Sequence, residues 1–209
     1  DLGTGPWPAP NFLRRQGLFF CTSAHMRTMN LGMDRERLTI LSPRFWPDAH
    51  GGVEQRMRRM SSALQGEGLA VRVVCENRCD APPREVLGDG VEVIRLPPPR
   101  PGVLWRWRAL TDVLWWRRAV AEHATDGAVW ASQHLAAMGA ILAGRRRQLV
   151  FNPAGCAAAM HRLSRARPEV TTMHKPRLNR MLDALVYRLA KLMVVSSHNL
   201  REQFESHHG

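Results

Sequence analysis

The sequence has no long apolar run and no segment built like an export signal. No apolar stretch approaches the ~20 residues that a membrane-spanning helix requires. The apolar part of residues 17–24 is too short and too interrupted for a signal peptide. We therefore predict a cytoplasmic protein. The alternative is that it attaches peripherally to the inner face of the membrane.

Cysteine is scarce, with four residues at positions 21, 75, 79 and 156. They are too few and too scattered for a disulfide framework in a chain of 209 residues. Cys75 and Cys79 have a spacing that could supply half of a metal site, but no second pair completes it. We predict one buried thiol and one loop thiol here, no metal ion and no cofactor.

The common nucleotide-binding and hydrolytic motifs are also missing. The chain has no Gly-x-Gly-x-x-Gly fingerprint, no P-loop, no Gly-x-Ser-x-Gly elbow and no His-Glu-x-x-His zinc helix. The absence of Asp-x-Asp argues against a metal-dependent sugar transferase of the other common architecture. No catalytic residue is identified by a motif, and the catalytic positions are unknown at this level.

Lysine is nearly absent, although the chain is strongly basic. The formal net charge is +12, from 30 Lys+Arg against 18 Asp+Glu, and only Lys175 and Lys191 are lysines. A positive surface favours phosphates, acidic lipid or nucleic acid, whereas abundant arginine can also follow genomic base composition. The charge supports an alternative function, a stand-alone basic module that binds acidic lipid or nucleic acid, with nucleic acid the less favoured ligand.

Strand-like and helix-like segments alternate from Leu38 onward. Short β-branched or apolar runs predict strands, and apolar residues at three- and four-residue spacing predict helices. This alternation predicts an α/β fold, a doubly wound and mostly parallel Rossmann-like sheet with helices on both faces. Residues 1–37 lack a periodic pattern and are predicted to be a poorly ordered extension, and residues 38–209 form the domain. The predicted strands cover residues 38–41, 69–75, 91–96, 128–131, 148–151 and 193–195.

A helix predicted over residues 104–124 is rich in tryptophan and arginine. Trp105, Arg106, Trp115 and Arg118 suit the headgroup layer of a membrane and are candidate membrane contacts. The same residue types could bind nucleic acid by stacking and phosphate contacts. The alternative is a helix packed on the sheet, with an inward stripe formed by Trp107, Leu110 and Leu114.

A second long helix, predicted from Leu178, has leucines at regular helical spacing. These apolar positions continue in the same rhythm as far as Leu192, where the chain enters a strand. The spacing predicts one buried stripe made of Leu178, Leu182, Leu185, Leu189 and Leu192.

Paired glycines open the first predicted helix of the domain. Gly51 and Gly52 precede the apolar positions of a helix over residues 53–64, and they follow the loop after the first predicted strand. Free N–H groups and the macrodipole at a helix N-terminus favour an anion, and glycine lets a ligand approach the backbone. We predict a phosphate-binding site at Gly51 and Gly52.

Three segments resemble retaining glycosyltransferase family four. Residues 37–43 and 47–54 are similar to the opening strand and the Pro-x-x-Gly-Gly-x-Glu loop of that family. Residues 63–74 resemble its Leu-x-x-x-Gly-His-x-Val-x-Val segment, without the usual histidine. Residues 183–197 resemble the last helix and strand of its acceptor domain. The resemblance covers residues 37–209 and implies one half of a GT-B fold.

The resemblance also implies a function and a set of partners. The chain would be the acceptor-side half of an enzyme that transfers a sugar from a nucleotide-sugar to a sugar or lipid-linked acceptor, with retention and without a required metal. The donor-binding domain and its Glu-x7-Glu motif are not found in this sequence, so the fragment is expected to be inactive alone. Gly51 and Gly52 would face the donor diphosphate. Asn152 stands near the place of a family histidine. The candidate cleft or acceptor contacts are His50, Glu54, His134, Asn152 and Ser196.

Overall fold

The computed structural model describes ten stretches of the chain. They are residues 18–20, 37–47, 51–78, 80–99, 108–153, 155–156, 159–160, 165–166, 176–195 and 198–208.

Strands and helices alternate through most of these stretches. In chain order they are β1 (Leu18–Phe20), β2 (Arg37–Leu41), α1 (Gly52–Gly66), β3 (Ala70–Glu76), β4 (Arg84–Val86), β5 (Glu92–Leu96), α2 (Arg108–His123), β6 (Ala128–Ala131), α3 (His134–Leu142), a 3₁₀ turn (Arg146–Gln148), β7 (Leu149–Phe151), α4 (Pro176–Leu189), β8 (Leu192–Val195) and α5 (His198–His208). No described helix is long and apolar enough to cross a membrane.

The strands form one sheet in the order β1-β8-β7-β6-β2-β3-β5-β4. Every neighbouring pair is parallel except β4 and β5, which are antiparallel. Ile40 in the centre of β2 is in register with Val73 on one side and Trp130 on the other. The order from β5 through β2 to β8 is the Rossmann arrangement, in which the chain reverses direction across the sheet between β2 and β6. The predicted fold class is confirmed.

Helices cover both faces of the sheet, because successive strand residues point to opposite sides. On one face, Ile40 and Val73 pack in a cluster with Met57 and Leu64 of α1. On the other face, Leu41 belongs to a larger cluster with side chains of α2, α3, α4 and α5. The two apolar cores therefore lie on opposite faces of the sheet, and β2 contributes side chains to both. Its carboxyl end lies in the interior of the strand order.

Helices α2 and α3 pack closely because of one glycine. A Cβ built on Gly139 would lie 2.4 Å from the Cβ of Trp116, closer than real atoms approach. Trp116 is buried in the larger core. The lack of a side chain at residue 139 therefore allows the indole-bearing turn of α2 to rest directly on α3.

The predicted inward stripe of α2 is wrong. Leu110 and Leu114 are 49% and 48% exposed. The buried positions of this helix are Val113, Trp116, Ala119 and Val120. Two stripes at helical spacing compete in this segment, and the one that holds the largest aromatic side chain faces the core. Trp107 lies outside the described residues.

The predicted leucine stripe of the second long helix is only partly right. Helix α4 ends at Leu189, and Leu192 starts the buried strand β8. Leu185 is 38% exposed, whereas Leu182 and Val186 are buried. The run Leu192–Val195 forms a strand because four consecutive apolar residues are buried on both faces of a parallel sheet.

Two strands were not predicted. Strand β1 lies within residues 1–37 and pairs in parallel with β8, and β4 is an antiparallel strand at the other end of the sheet order. Each has three residues, which is too short for a period of two to be visible in the sequence.

Candidate functional site

The crevice at the carboxyl edge of the sheet is the natural ligand site of this fold. The chain leaves β2 toward one face of the sheet and leaves β6 toward the other face. In open α/β sheets, ligands bind beyond the strand ends at such a switch point. Four segments follow strands at this edge: the loop after β2, the start of α1, the start of α3 at His134, and Asn152 after β7.

Helix α1 presents an uncapped N-terminus at this edge. Gly51 is the N-cap residue, with φ −69° and ψ 161°, and no side chain caps it. Gly51 and Gly52 are both exposed. A Cβ built on Gly52 would meet no atom within 4 Å. The N-cap residue therefore supplies no side-chain acceptor, and the space beside Gly52 is open, a geometry that favours an anion.

The carboxylate of Glu54 lies against Gly51. A Cβ built on Gly51 would be 2.3 Å from the Glu54 Oε2 atom. A carboxylate in the first turn of a helix is stabilised by the macrodipole. Glu54 therefore lies at the helix end where a bound anion would compete with it, and a side chain at residue 51 would require this carboxylate to move.

Asn152 is almost fully committed to contacts inside the protein. Its backbone N–H donates to the Ala131 carbonyl at 2.8 Å, and its Nδ2 donates to the Val194 carbonyl at 2.7 Å. Its Oδ1 accepts from the Arg56 guanidinium at 3.1 Å. Asn152 is 4% exposed and fixes the ends of β6 and β8 and a side chain of α1 relative to one another.

Arg56 was missed by the sequence analysis. It lies one helical turn after Gly52, so both residues are on the same side of α1, and its Nε atom is buried without a hydrogen-bond partner in the described chain. The i, i+4 relation to a glycine at a helix N-terminus is the signal that could have identified it. A cation in this position adds positive charge to the helix end.

His134 begins α3 beside a buried carboxylate on α4. Its Nδ1 is 3.5 Å from Asp183 Oδ1, and Asp183 is 2% exposed. Burial lowers the pKa of His134, and a hydrogen bond with Asn179 opposes that shift. The imidazole is therefore neutral at pH 7, the form that can accept a proton from a hydroxyl group.

Arg95 holds the loop that follows β2. This arginine is fully buried and donates to Glu85 Oε1 at 2.6 Å and to the Trp46 carbonyl at 3.1 Å. Ser42 Oγ donates to the Arg44 carbonyl at 2.7 Å within the same loop. The hairpin of β4 and β5 thereby positions one wall of the crevice, a role that the sequence did not reveal.

The remaining candidate residues are distributed as follows. His50, Ser196, Trp105 and Arg106 lie outside the described residues. The Trp115 Nε1 donates to the Pro97 carbonyl at 2.9 Å, and its ring meets Trp116 edge-on, with ring centroids 4.7 Å apart. Arg118 is exposed and pairs with Glu122 at 2.7 Å. The structure therefore groups Gly51, Gly52, Glu54, His134 and Asn152 at the carboxyl edge. It places Trp115 and Arg118 on α2.

The sheet order and the glycine-led helix at its switch point define a Rossmann-like domain of the kind that forms one half of a GT-B glycosyltransferase. Residues 51–209 match the family model described as a glycosyl transferase 4-like domain. The chain belongs to that family.

Solved structures support the same fold. Sucrose-phosphate synthase from Thermosynechococcus elongatus matches with a TM-score of 0.64 at 14% identity, over 82% of this chain and 45% of that chain. A second structure of sucrose-phosphate synthase from this organism, from a twinned crystal, matches with a TM-score of 0.50 at 12% identity, over 81% of this chain and 80% of that chain. This chain thus covers less than half of the first structure. A comparison with curated proteins gave no match.

Proposed function

We propose that this chain is the acceptor-side half of a retaining glycosyltransferase that uses a nucleotide-sugar donor. The open N-terminus of α1 at the switch point carries the proposal. The N–H groups in the first turn of α1 would hold the donor diphosphate, and a second domain would bind the nucleotide. The acceptor would be a sugar or a lipid-linked glycan that enters over the loops after β6 and β7.

The chemistry of this site is electrostatic. A leaving diphosphate gains negative charge in the transition state, and fixed N–H dipoles directed at that charge lower the barrier. Gly52 has no side chain to block the approach, and Arg56 on the same side of α1 adds a cation. The Glu54 carboxylate lies at the same helix end and has to move or rotate when a diphosphate binds.

Gly52→Val is expected to weaken the binding of pyrophosphate by about tenfold or more, because a branched side chain at the helix end keeps the anion from the N–H groups. The measurement is a titration of the ¹⁵N-labelled chain, followed through the amide shifts of residues 51–54. A Cβ at this position meets no atom within 4 Å, so the fold is preserved.

Gly66→Val is the matched control for this experiment. Gly66 ends the same helix, and a Cβ built on it also meets no atom within 4 Å. The control variant should bind pyrophosphate as the wild type does. Equal affinities of the Gly52 and Gly66 variants would refute diphosphate binding at this helix end.

We further propose that α2 contacts an acidic membrane surface. Leu110 and Leu114 are each about half exposed on this helix, and Arg117 and Arg118 are exposed beside them. Apolar side chains next to arginines suit the boundary between headgroups and acyl chains. The contact would bring the crevice to a lipid-linked acceptor.

The double variant Leu110→Ser/Leu114→Ser is expected to lose most of its binding to vesicles that contain phosphatidylglycerol. Each leucine contributes roughly 1.5–3 kcal/mol when fully buried, and a half-exposed one contributes part of that. Vesicle cosedimentation measures the effect. Met181→Ser/Leu185→Ser on α4 removes two other exposed apolar side chains and should bind normally. Equal binding by both double variants would argue against α2.

A further inference from the structure

A cavity lies at the amino edge of the sheet, opposite the crevice at the carboxyl edge. Its volume is about 440 Å³, and it is lined by Arg146, Arg147, Leu189, Ala190 and Lys191. These residues precede β7 and β8, so the cavity is separated from the switch point by the length of the strands. Its size is within the ~300–1,000 Å³ range of small-molecule sites.

Among the described residues, the lining combines three cations with two apolar side chains and includes no acidic group. Arg146, Arg147 and Lys191 are exposed to solvent. The neighbouring Arg145 donates to the Thr125 and Gly127 carbonyls at 2.7 and 3.2 Å. Arg145 therefore holds the 3₁₀ turn, from which Arg146 and Arg147 project, against the start of β6.

Arg146 also offsets the partial negative charge at the end of α4. Helix α4 ends at Leu189, and the carbonyl end of a helix has about half a negative charge. The Arg146 Nε donates to the Leu189 carbonyl at 3.0 Å, which satisfies that carbonyl and orders the guanidinium in advance. The side chains of Arg146, Arg147 and Lys191 give the cavity a cationic lining, which attracts anions.

We propose that this cavity binds a phosphate-bearing anion. Arginine suits phosphate because its planar N–H groups match two oxygens at once, and Lys191 adds a point charge from the facing segment. Leu189 and Ala190 would contact the carbon part of the ligand. The phosphate can belong to a soluble metabolite or to a lipid headgroup. The site is independent of the proposed sugar transfer, since it shares no residue with the carboxyl-edge crevice.

The test uses the whole ¹⁵N-labelled chain and two probes. Pyrophosphate is titrated while the amide shifts of residues 146–148 and 189–192 are followed. In parallel, vesicles with and without phosphatidylglycerol are tested by cosedimentation. The variant Arg147→Gln/Lys191→Gln removes two exposed charges and leaves the Arg146 contact with Leu189 in place. Arg59→Gln/Arg180→Gln removes two other exposed charges and is the control.

We expect the Arg147/Lys191 variant to lose about tenfold or more in affinity for one of the two probes, while the control binds nearly as the wild type does. Loss toward pyrophosphate identifies a soluble ligand, and loss toward acidic vesicles alone identifies a headgroup. Equal effects of the two variants, or no binding signal at residues 146–148 and 189–192 with either probe, would overturn the proposal. Amide shifts of residues 51–54 report separately on the proposed diphosphate site at the start of α1. A negative result for the amino-edge cavity is therefore distinguishable from a negative result for that site.

Discussion

Sugar transfer by the 209-residue chain alone is expected to be at least ~10⁵-fold slower than transfer by the chain combined with a donor-binding domain. The described crevice offers the open N-terminus of α1 but only one wall. Holding two reactants in register contributes ~7–11 kcal/mol in favourable cases. A half-site cannot fix the donor relative to the acceptor, so most of that contribution would be missing.

The assay combines the purified chain with a panel of nucleotide-sugars and with sugar or lipid-linked acceptors. It is run for the chain alone, for the donor-binding domain of a family-four glycosyltransferase alone, and for the two together. Activity confined to the combination supports the proposed function. Robust turnover by the chain alone would contradict it.

Glu85→Gln is expected to lower the free energy of unfolding by about 3 kcal/mol. Its partner Arg95 has a side chain with no exposed surface, and removing one member of a buried ion pair leaves an uncompensated charge in the interior. Two backbone carbonyls, of Trp46 and Pro82, still accept from the guanidinium, which keeps the expected loss below the upper end of such effects. Urea denaturation measures the change.

Glu122→Gln is the control for this prediction. Glu122 also pairs with an arginine at 2.7 Å, but that pair is on the exposed face of α2, where water screens the charges and the pair contributes little to stability. A larger loss from Glu122→Gln than from Glu85→Gln would show that burial of Arg95 is not the deciding factor. Amide shifts of residues 42–46 should also change in the Glu85 variant, because Arg95 holds that loop.

The sheet could be predicted from the sequence because its evidence is local. Each strand of four or more residues is a short segment rich in apolar residues, and apolar residues at helical spacing mark the intervening helices. The face of α2 could not be read in this way. Leu110 and Leu114 form one plausible stripe, Val113 and Trp116 form another, and the choice depends on the space that Gly139 leaves on a different helix.

The glycine-led helix end was visible in the sequence, and its surroundings were not. Arg56 contacts a residue 96 positions away, and His134 faces a carboxylate on another helix. Arg95 acts on a loop 49 positions earlier in the chain. Such partners are set by strand order, which local patterns do not contain. The side chains that shape the crevice therefore become identifiable only after the fold is known.

The position of β1 has a consequence for the order of folding. Leu18 is paired with Met193, so among the described strands the first in sequence joins the sheet beside the last. On a ribosome this strand emerges early and has no partner until nearly the whole domain has been synthesised. The central pairing of β2 with β6 also waits for a distant segment. Contacts of such long sequence separation slow the folding of a domain, and the early strand edges stay open to association with other chains in the meantime.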